Sequence, residues 1–409
     1  MADRPDVRDF ERARERYAEI GVDAAGAIRA LAEVRISLPC WTLDDVSGFE
    51  GEGAALAGGG LAVTGAHPGR ARGPEELRRA LDVALALIPG RHRLNLHAMY
   101  GEFGDRRVDR DAIGPEHFAG WAAFAAERRL LLDFNATCFS HERAASGTTL
   151  ASRDPGTRAF WIEHVRRCRQ IAAHFGLGQG APALHNLWIP DGAKEAPEDR
   201  LGIRATLRES LDAIYAVRHD PVHLLDSVES KLFGLGSESF VAGSHEFYLA
   251  YALSRGLLVC FDTGHFHPTE SVADKLSAWL AFAPAVLLHV SRGVRWDSDH
   301  VPLFDDAVRE LMTEAVRCGL HRVHIALDFF DASLPRAGAL ALGARAVQKA
   351  LLFALLRPAA DPLAPEAGDD AFRHLALVEA LSTMPFGAVW ARFCEEHAVP
   401  PALWPRPAV

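Results

Sequence analysis

Eight short apolar runs, separated by longer stretches of helical period, constrain the fold of this chain more than any other feature. The runs are rich in Val, Ile, Leu and Phe, and the stretches between them are amphipathic. This alternation is typical of βα units, because parallel strands need a crossover that is usually helical. Eight such units in one chain predict an α/β fold, a closed (β/α)8 TIM barrel.

The predicted strands share an apolar interior and end in polar residues. They are Val34–Leu38, Arg93–Ala98, Leu130–Asn135, His185–Pro190, Leu224–Glu229, Leu257–Asp262, Val286–Val290 and Val323–Phe330. Predicted helices over Pro74–Ile88 and Pro115–Arg129 each begin with Pro followed by Glu, which suits a first helical turn. We predict a single domain over residues 1–409, with an N-terminal helical segment (1–33), the barrel (34–358) and a C-terminal helical tail (359–409).

Composition narrows the class of partner. The net charge is -10 and the basic residues are scattered, so no basic patch for nucleic acid or anionic lipid is indicated. The charged N-terminus lacks the apolar core of a secretory signal, and no apolar run approaches a membrane span. Six widely spaced cysteines favour reduced thiols. We therefore expect a cytoplasmic protein that acts on a small, soluble molecule.

Polar side chains gather where the predicted strands end. In a barrel all these ends open onto one cavity, which is where active sites lie. The residues at the ends are His97, Asp133, Trp188, Glu229, Asp262, His265, His289 and Asp328.

Two groups of these residues have the chemistry of metal ligands. The first is Glu229, Asp262, His289 and Asp328, each at the end of a different strand. Carboxylates and imidazole suit Mn²⁺, Mg²⁺ or Zn²⁺. The second group is His265, Asp297 and Asp299, offset from the first by short loops. Two neighbouring ions would serve sugar isomerisation, because one can hold the substrate while the other polarises a carbonyl.

Simpler interpretations compete for each residue taken alone. An Asp after a strand is often a helix N-cap, and Asp305 and Asp306 fit that role. A histidine inside a strand, such as His324, is more often a core residue. The long Gly-rich stretch Val46–Gly73 either covers the rim as a mobile lid or reaches a neighbouring subunit, and the alternative is a disordered surface loop. Asp361–Asp369 is a predicted loop before the tail.

Long segments of the chain resemble the bacterial, cytoplasmic L-rhamnose isomerase family. They are CWTLDDVSGFE from Cys40, RLNLHAMY from Arg93, LDFNATCFSH from Leu132, LWIPDG from Leu187, VESKLFGLGSESF from Val228, DTGHFHPTE from Asp262, LLHVSRGVRWDSDHV from Leu287 and LDFFDAS from Leu327. The resemblance implies a TIM barrel, a homotetramer, and reversible conversion of L-rhamnose to L-rhamnulose by a metal-assisted hydride shift between C2 and C1.

The resemblance also implies roles for individual residues. It makes Glu229, Asp262, His289 and Asp328 ligands of a structural Mn²⁺ or Zn²⁺, and His265, Asp297 and Asp299 ligands of a catalytic Mn²⁺. Asp331 competes with Asp328 for its place. Catalytic roles are predicted for His265, Asp328 and Lys231. Lys231 follows Glu229 by two residues, so it shares the face of Glu229 if the strand continues, and its ammonium could then stabilise charge on a substrate oxygen. The alternative for Lys231 is a lysine paired with a structural carboxylate. The sugar-contacting positions are His97, Trp188, Lys231, Trp41 and Phe134.

One segment departs from the family pattern. The family's first strand ends in His-Cys-Trp-Gln-Gly-Asp-Asp, whereas this chain has Pro39-Cys40-Trp41-Thr42-Leu43-Asp44-Asp45. The lost imidazole and amide put the preferred sugar in doubt, since such groups recognise hydroxyls. We interpret Asp44 and Asp45 as a solvated pair. The alternative functions are an isomerase or epimerase of another sugar and a catalytically silent sugar-binding protein.

Overall fold

The computed structural model describes residues 7–50, 63–104, 106–231, 238–267, 269–294, 298–358 and 370–404. Eight parallel strands close into a barrel in the order β1, β2, β3, β4, β6, β8, β9, β10 and back to β1. Their bounds are β1 Ser37–Pro39, β2 Arg93–His97, β3 Leu131–Asn135, β4 Ala183–Leu187, β6 Leu224–Glu229, β8 Leu258–Asp262, β9 Val286–Val290 and β10 Val323–Leu327. A small antiparallel ribbon pairs β5 (Gly192–Ala193) with β7 (Phe240–Val241). The predicted fold class is confirmed.

Helices cover the outside of the barrel and both ends of the described chain. They are α1 Val7–Ala18, α2 Ala24–Glu33, α3 Pro74–Leu85, α4 Ala119–Arg128, α5 Pro155–Gln179, α6 Arg200–Tyr215, α7 His245–Arg255, α8 Val272–Leu280, α9 Asp306–Cys318, α10 Arg336–Leu355, α11 Asp370–Leu381 and α12 Phe386–Glu396. The Asp305 carboxylate accepts a hydrogen bond of 3.1 Å from the Val308 amide, so Asp305 is the N-cap that the sequence suggested.

Strand β4 differs most from its predicted bounds. The prediction was His185–Pro190, whereas Ala183 already pairs with Leu224 and the strand ends at Leu187. The apolar Leu-Trp-Ile sequence looked like strand, but the segment leaves the sheet before Pro190, which has no amide hydrogen to pair. The strand begins two residues and ends three residues before its predicted bounds, and Trp188, just past its end, still lines the cavity.

Helix α10 corrects the expectation that no apolar run approaches a membrane span. With 20 residues it is long and apolar enough to cross a bilayer by length and composition. However, 78% of its apolar stretch is buried inside the protein, where it packs against α9 and α3. A core helix of a barrel passes the same test, and burial of this kind is what such a helix shows.

Side chains inside the barrel alternate with side chains that face the helices. Deep in the interior, Leu184, Leu258, Cys260, Leu287 and Ala326 form a small apolar cluster. Beside it, the Asp133 carboxylate accepts hydrogen bonds from Ser37 Oγ (2.6 Å), Arg93 Nε and Nη2 (both 2.7 Å) and the Leu184 amide (2.8 Å). These partners lie at the amino-terminal parts of their strands, so the prediction of Asp133 at the rim is wrong. Asp133 is a buried residue that links β3 to β1, β2 and β4.

Candidate metal and sugar site

A cavity opens at the carboxyl ends of the strands and gathers most of the predicted residues. Those that line it are Trp41, His97, Trp188, Glu229, His265, His289, Asp299 and Asp328. Asp262 lies just behind them and is 2% exposed. The sequence placed these side chains on one rim because parallel strands end together, and the barrel closes them around one space.

Four of these side chains form a compact ligand cluster. His289 Nδ1 lies 3.3 Å from Glu229 Oε2, 3.2 Å from Asp328 Oδ2 and 3.9 Å from Asp262 Oδ2. One ligand atom from each of the four residues lies within 4.8 Å of every other. Three carboxylates and an imidazole at this spacing can surround a single divalent ion.

The electrostatics of the cluster fit a cation. Both ring nitrogens of His289 are buried, and neither makes a well-oriented hydrogen bond to any residue that the structure describes. Burial opposes protonation of His289, but the Glu229 and Asp328 carboxylates outweigh it and raise its pKa well above the ordinary value. The surrounding carboxylates therefore favour a positive charge at this position. A divalent metal ion would supply more positive charge than a proton on the His289 ring does.

Cys260 adds a second, overlapping group. Its thiol lies close enough to Glu229 and His289 for the three to offer ligand atoms within 4.8 Å of one another. Burial and the Glu229 carboxylate raise the pKa of the Cys260 thiol well above its usual value. The thiol is therefore protonated at neutral pH, when it is a poor ligand.

The structure separates Asp328 from its competitor. Trp41 Nε1 donates a 2.9 Å hydrogen bond to Asp328 Oδ1, which leaves Oδ2 for the cluster. Asp331 instead accepts from the Ser333 amide at 2.9 Å and closes a local turn. The geometry thus favours Asp328 as the ligand.

The second predicted ligand group is only partly visible. His265 and Asp299 line the same cavity, and His265 Nδ1 lies 3.4 Å from Glu229 Oε1. Asp297 falls outside the described residues. Asp299 has a left-handed backbone (φ 40°) and its carbonyl accepts from the Phe330 amide at 3.2 Å, which fixes this loop to the end of β10. A second ion site at these residues stays a prediction.

Three of the predicted sugar-contacting residues, Trp41, His97 and Trp188, line the cavity beside the ligand cluster. Burial lowers the pKa of His97 to about 3, so its imidazole is neutral. Its Nδ1 lies 3.1 Å from Thr137 Oγ1, and Trp41 packs edge-on against the ring at 4.8 Å between centroids. Trp188 lines the cavity beside Phe139. A neutral imidazole and two indoles make a wall that suits the hydroxyls and apolar face of a sugar.

Phe134 does not belong to the site, and the prediction that it contacts the sugar is wrong. Its ring faces outward and packs edge-on against Phe118 and Phe175 in the helical layer. Because faces alternate along β3, the cavity instead receives its neighbour Asn135.

Lys231 also lies elsewhere. Strand β6 ends at Glu229, so the alternation that would aim Lys231 into the barrel does not continue. Its ammonium lies 2.6 Å from Glu238 Oε2 and donates to the Pro190 carbonyl at 2.6 Å. This ion pair is the alternative considered above, a lysine paired with a carboxylate, and the catalytic and sugar-binding roles of Lys231 stay predictions.

Two buried asparagines in the cavity wall were missed. Asn135 and Asn186 occupy inward positions on neighbouring strands. Asparagine is depleted in strands, so its occurrence just before two strand ends was a usable signal.

The interpretation of Asp44 and Asp45 as a solvated pair is wrong, because both are buried. Asp44 accepts from Tyr100 Oη at 2.7 Å and from the Gly48 amide at 2.8 Å. Asp45 makes a two-point ion pair with Arg336, at 2.7 and 2.6 Å. Together they fasten the start of the loop after β1 to the barrel.

The altered residues of the first strand lie behind the cavity. Pro39, Thr42 and Leu43 are buried and are not among the described residues that line it, and the Thr42 hydroxyl donates to the Phe329 carbonyl at 2.5 Å. The departure from the family pattern therefore changes the support of the wall, and Trp41 remains in contact with the cavity.

Asp44 gives a pH-dependent prediction. Burial raises its pKa to about 7, so the folded protein binds a proton that the unfolded chain releases near pH 4. Stability from this group is fully present below about pH 4 and is lost as the pH rises to the folded pKa of about 7. We therefore expect the stability of Asp44→Asn relative to wild type to increase between pH 5 and pH 8, by on the order of 3 kcal/mol. Urea denaturation at both pH values measures this, and a difference between the two proteins that is the same at both pH values would contradict it.

Comparison with known proteins places the chain among sugar isomerases. The family description L-rhamnose isomerase (RhaA) matches residues 6–404. A protein of Rhodopirellula baltica named L-rhamnose isomerase is 53% identical over 392 residues, covering 96% of this chain and 91% of that protein. One from Cronobacter sakazakii with the same name is 50% identical over 397 residues, covering 97% and 94%. Among solved structures, a D-psicose 3-epimerase is 13% identical with a TM-score of 0.46, covering 69% of this chain and 93% of that chain.

Proposed function

The chain belongs to the L-rhamnose isomerase family, and from that premise we infer that it is an aldose-ketose isomerase that interconverts L-rhamnose and L-rhamnulose in the barrel cavity. The observation that carries this conclusion is the cluster of Glu229, Asp262, His289 and Asp328 beside the cavity at the carboxyl ends of the strands. Neutral sugar oxygens give a protein little to act on, so a divalent cation beside them is the chemistry the reaction needs.

We assign the ion-holding role first to that cluster. His265 and Asp299, together with Asp297, are proposed to hold a second, catalytic ion. A bound divalent ion supplies a Lewis acid beside the sugar's O1 and O2. The preponderance of carboxylate ligands supports Mn²⁺ at the catalytic position and Mn²⁺ or Zn²⁺ at the other.

The protein's own residues orient the substrate and keep water out. Trp41 holds Asp328 by its indole hydrogen bond, and Trp41 and Trp188 provide flat apolar walls. His97 stays neutral because of burial, so it can exchange a hydrogen bond with a hydroxyl without adding a competing positive charge. His265 and Asp328 border the reacting part of the cavity and are the groups nearest to O1 and O2 in this proposal.

We propose that the hydrogen at C2 moves directly to C1 of the open-chain sugar as a hydride. The competing route removes a proton from C2 and passes through an enediol. Isomerisation in deuterium oxide separates the two, because a proton held by a carboxylate exchanges with solvent. We expect the ketose formed to carry almost no deuterium at C1 by NMR, and substantial C1 deuterium would contradict the hydride shift.

The decisive test of the function uses metal-stripped protein with and without restored Mn²⁺. We expect Mn²⁺-dependent ketose formation with L-rhamnose preferred over L-mannose, L-lyxose, D-allose and D-xylose. Preference for another of these sugars would move the assignment to a different isomerase of the same barrel type. Inactivity on all five would overturn the proposed function.

The oligomeric state and the cellular location are two further parts of the proposal. We propose a homotetramer on the basis of the family resemblance, and a cytoplasmic location on the basis of the six free cysteines. Light scattering on the purified protein tests the first, and cell fractionation tests the second.

A further inference from the structure

Asn186 occupies a central position that the ligand chemistry alone does not explain. It lies on β4, in register with Asn135 on one side and Ser227 on the other, and its side chain faces the cavity. It is 3% exposed. A buried carboxamide at such a position needs partners for both of its ends.

One end of the amide is committed to the ligand cluster. Asn186 Nδ2 donates a short hydrogen bond to Glu229 Oε2. An ionised carboxylate can only accept, so this contact fixes which end of the amide is which. The same oxygen lies 3.3 Å from His289 Nδ1, so Asn186 restrains the face of Glu229 that belongs to the cluster.

The other end is free. Asn186 Oδ1 is buried and accepts no hydrogen bond from any residue within the described ranges. Its neighbour Asn135 differs, because Nδ2 of Asn135 is used on Asn95 Oδ1 at 2.7 Å and on the Leu96 carbonyl at 3.2 Å, and it makes no contact with Glu229 that the structure records. Leaving a buried acceptor unpaired is costly, so an unpaired one in a ligand cavity points to a donor that arrives with the ligand.

We propose that Asn186 is a positioning residue that connects the metal to the sugar. Its Nδ2 orients Glu229 for the divalent ion, and its Oδ1 accepts a hydrogen bond from a hydroxyl of the bound sugar. The proposal rests on the proposed function for its choice of ligand, and its metal half stands on the Glu229 contact alone.

The test compares wild type, Asn186→Ala and Asn135→Ala, each stripped of metal. Mn²⁺ affinity is measured without sugar from the electron paramagnetic resonance of free Mn²⁺, and the binding step lost in Asp262→Asn identifies the site, because Asp262 belongs to the four-residue cluster. We expect Asn186→Ala to weaken this step at least about tenfold, the usual result of removing a residue that orients a metal ligand. Asn135→Ala should change it less than about twofold, because Asn135 does not hold Glu229.

The sugar half is measured at saturating Mn²⁺ by calorimetry with L-rhamnitol, which has the hydroxyls but no carbonyl to isomerise. We expect Asn186→Ala to bind it about tenfold more weakly, the loss of one hydrogen bond. Asn186→Thr serves if the alanine variant does not fold, since its β-branched side chain suits a strand and its hydroxyl ends one bond short of the Nδ2 position.

If Asn186→Ala binds Mn²⁺ as tightly as wild type does, or binds L-rhamnitol as tightly at saturating Mn²⁺, the proposal is overturned. In that case turnover of L-rhamnose by the wild type still supports the proposed function. A wild type that neither binds L-rhamnitol nor isomerises L-rhamnose overturns the proposed function and the sugar half together, and the Mn²⁺ comparison still decides the metal half.

Discussion

Glu229→Gln is expected to lose about a thousandfold or more in turnover of L-rhamnose, and to melt at the same temperature with and without Mn²⁺. Glu229 contributes to both groups of ligands, since Oε2 lies 3.3 Å from His289 Nδ1 and Oε1 lies 3.4 Å from His265 Nδ1. Removing its charge weakens the hold on an ion that provides several kcal/mol of transition-state stabilisation, and about 4 kcal/mol corresponds to a thousandfold in rate.

The expected effect of Mn²⁺ on the melting temperature follows from the linkage between ion binding and folding. An ion that binds only the folded protein stabilises it by about 2.7 kcal/mol at a hundred times its dissociation constant. Wild type should gain this on addition of Mn²⁺, and Glu229→Gln should not. Asp299→Ala should also lose turnover, yet keep much of the gain, because the four-residue cluster is intact.

The matched control is Asp331→Asn. Asp331 is a carboxylate that follows β10, as Asp328 does, and it closes a turn with Ser333. The variant should keep both turnover and the Mn²⁺ effect. If Asp331→Asn behaves like Glu229→Gln, or if Glu229→Gln and Asp299→Ala lose equal amounts of thermal stability, the division of roles is wrong. Calorimetric melting with paired kinetic assays gives both readouts.

Asp133→Ala should have the largest effect on stability, about 3–5 kcal/mol, with little effect on the turnover of the protein that remains folded. The carboxylate is 1% exposed and pairs at two points with Arg93, whose side chain is 13% exposed. Its removal leaves a largely buried guanidinium, the Ser37 hydroxyl and the Leu184 amide without their acceptor. Such losses are far more costly than the pair itself is stabilising.

Urea denaturation in metal-free buffer measures this without the contribution of Mn²⁺. The control is Asp274→Ala, at an exposed position in the first turn of α8, which should cost less than about 0.5 kcal/mol. A loss of turnover in Asp133→Ala as complete as in Glu229→Gln, with the protein folded, would return Asp133 to the site.

The eightfold alternation and the strand ends were readable from the sequence because apolar period and polar ends are local signals. Strands β6 and β9 were predicted with their observed bounds. Although β4 ends three residues earlier than predicted, Trp188 directly follows its last residue and still lines the cavity.

The errors share a physical cause. Phe134 was assigned by its place in a segment that resembles the family, although it precedes the inward-facing Asn135 and so points its ring outside the barrel. The face that Lys231 was expected to share with Glu229 depended on continuing β6 beyond its last paired residue. Asp44 was taken as solvated because its hydrogen-bond partner Tyr100 lies 56 residues away, and no local pattern reveals such a contact.

Cys260 has a practical consequence for anyone who prepares this protein. Glu229 and His289 belong to two overlapping ligand groups, one completed by the hard oxygens of Asp262 and Asp328 and one by the soft sulfur of Cys260. A manganese ion gains little from sulfur, whereas a softer ion such as cadmium binds a thiolate strongly enough to displace the thiol proton. Contamination by such cations during growth or purification would therefore occupy the ligand cluster and lower the activity. Elemental analysis should precede any comparison of rates between preparations.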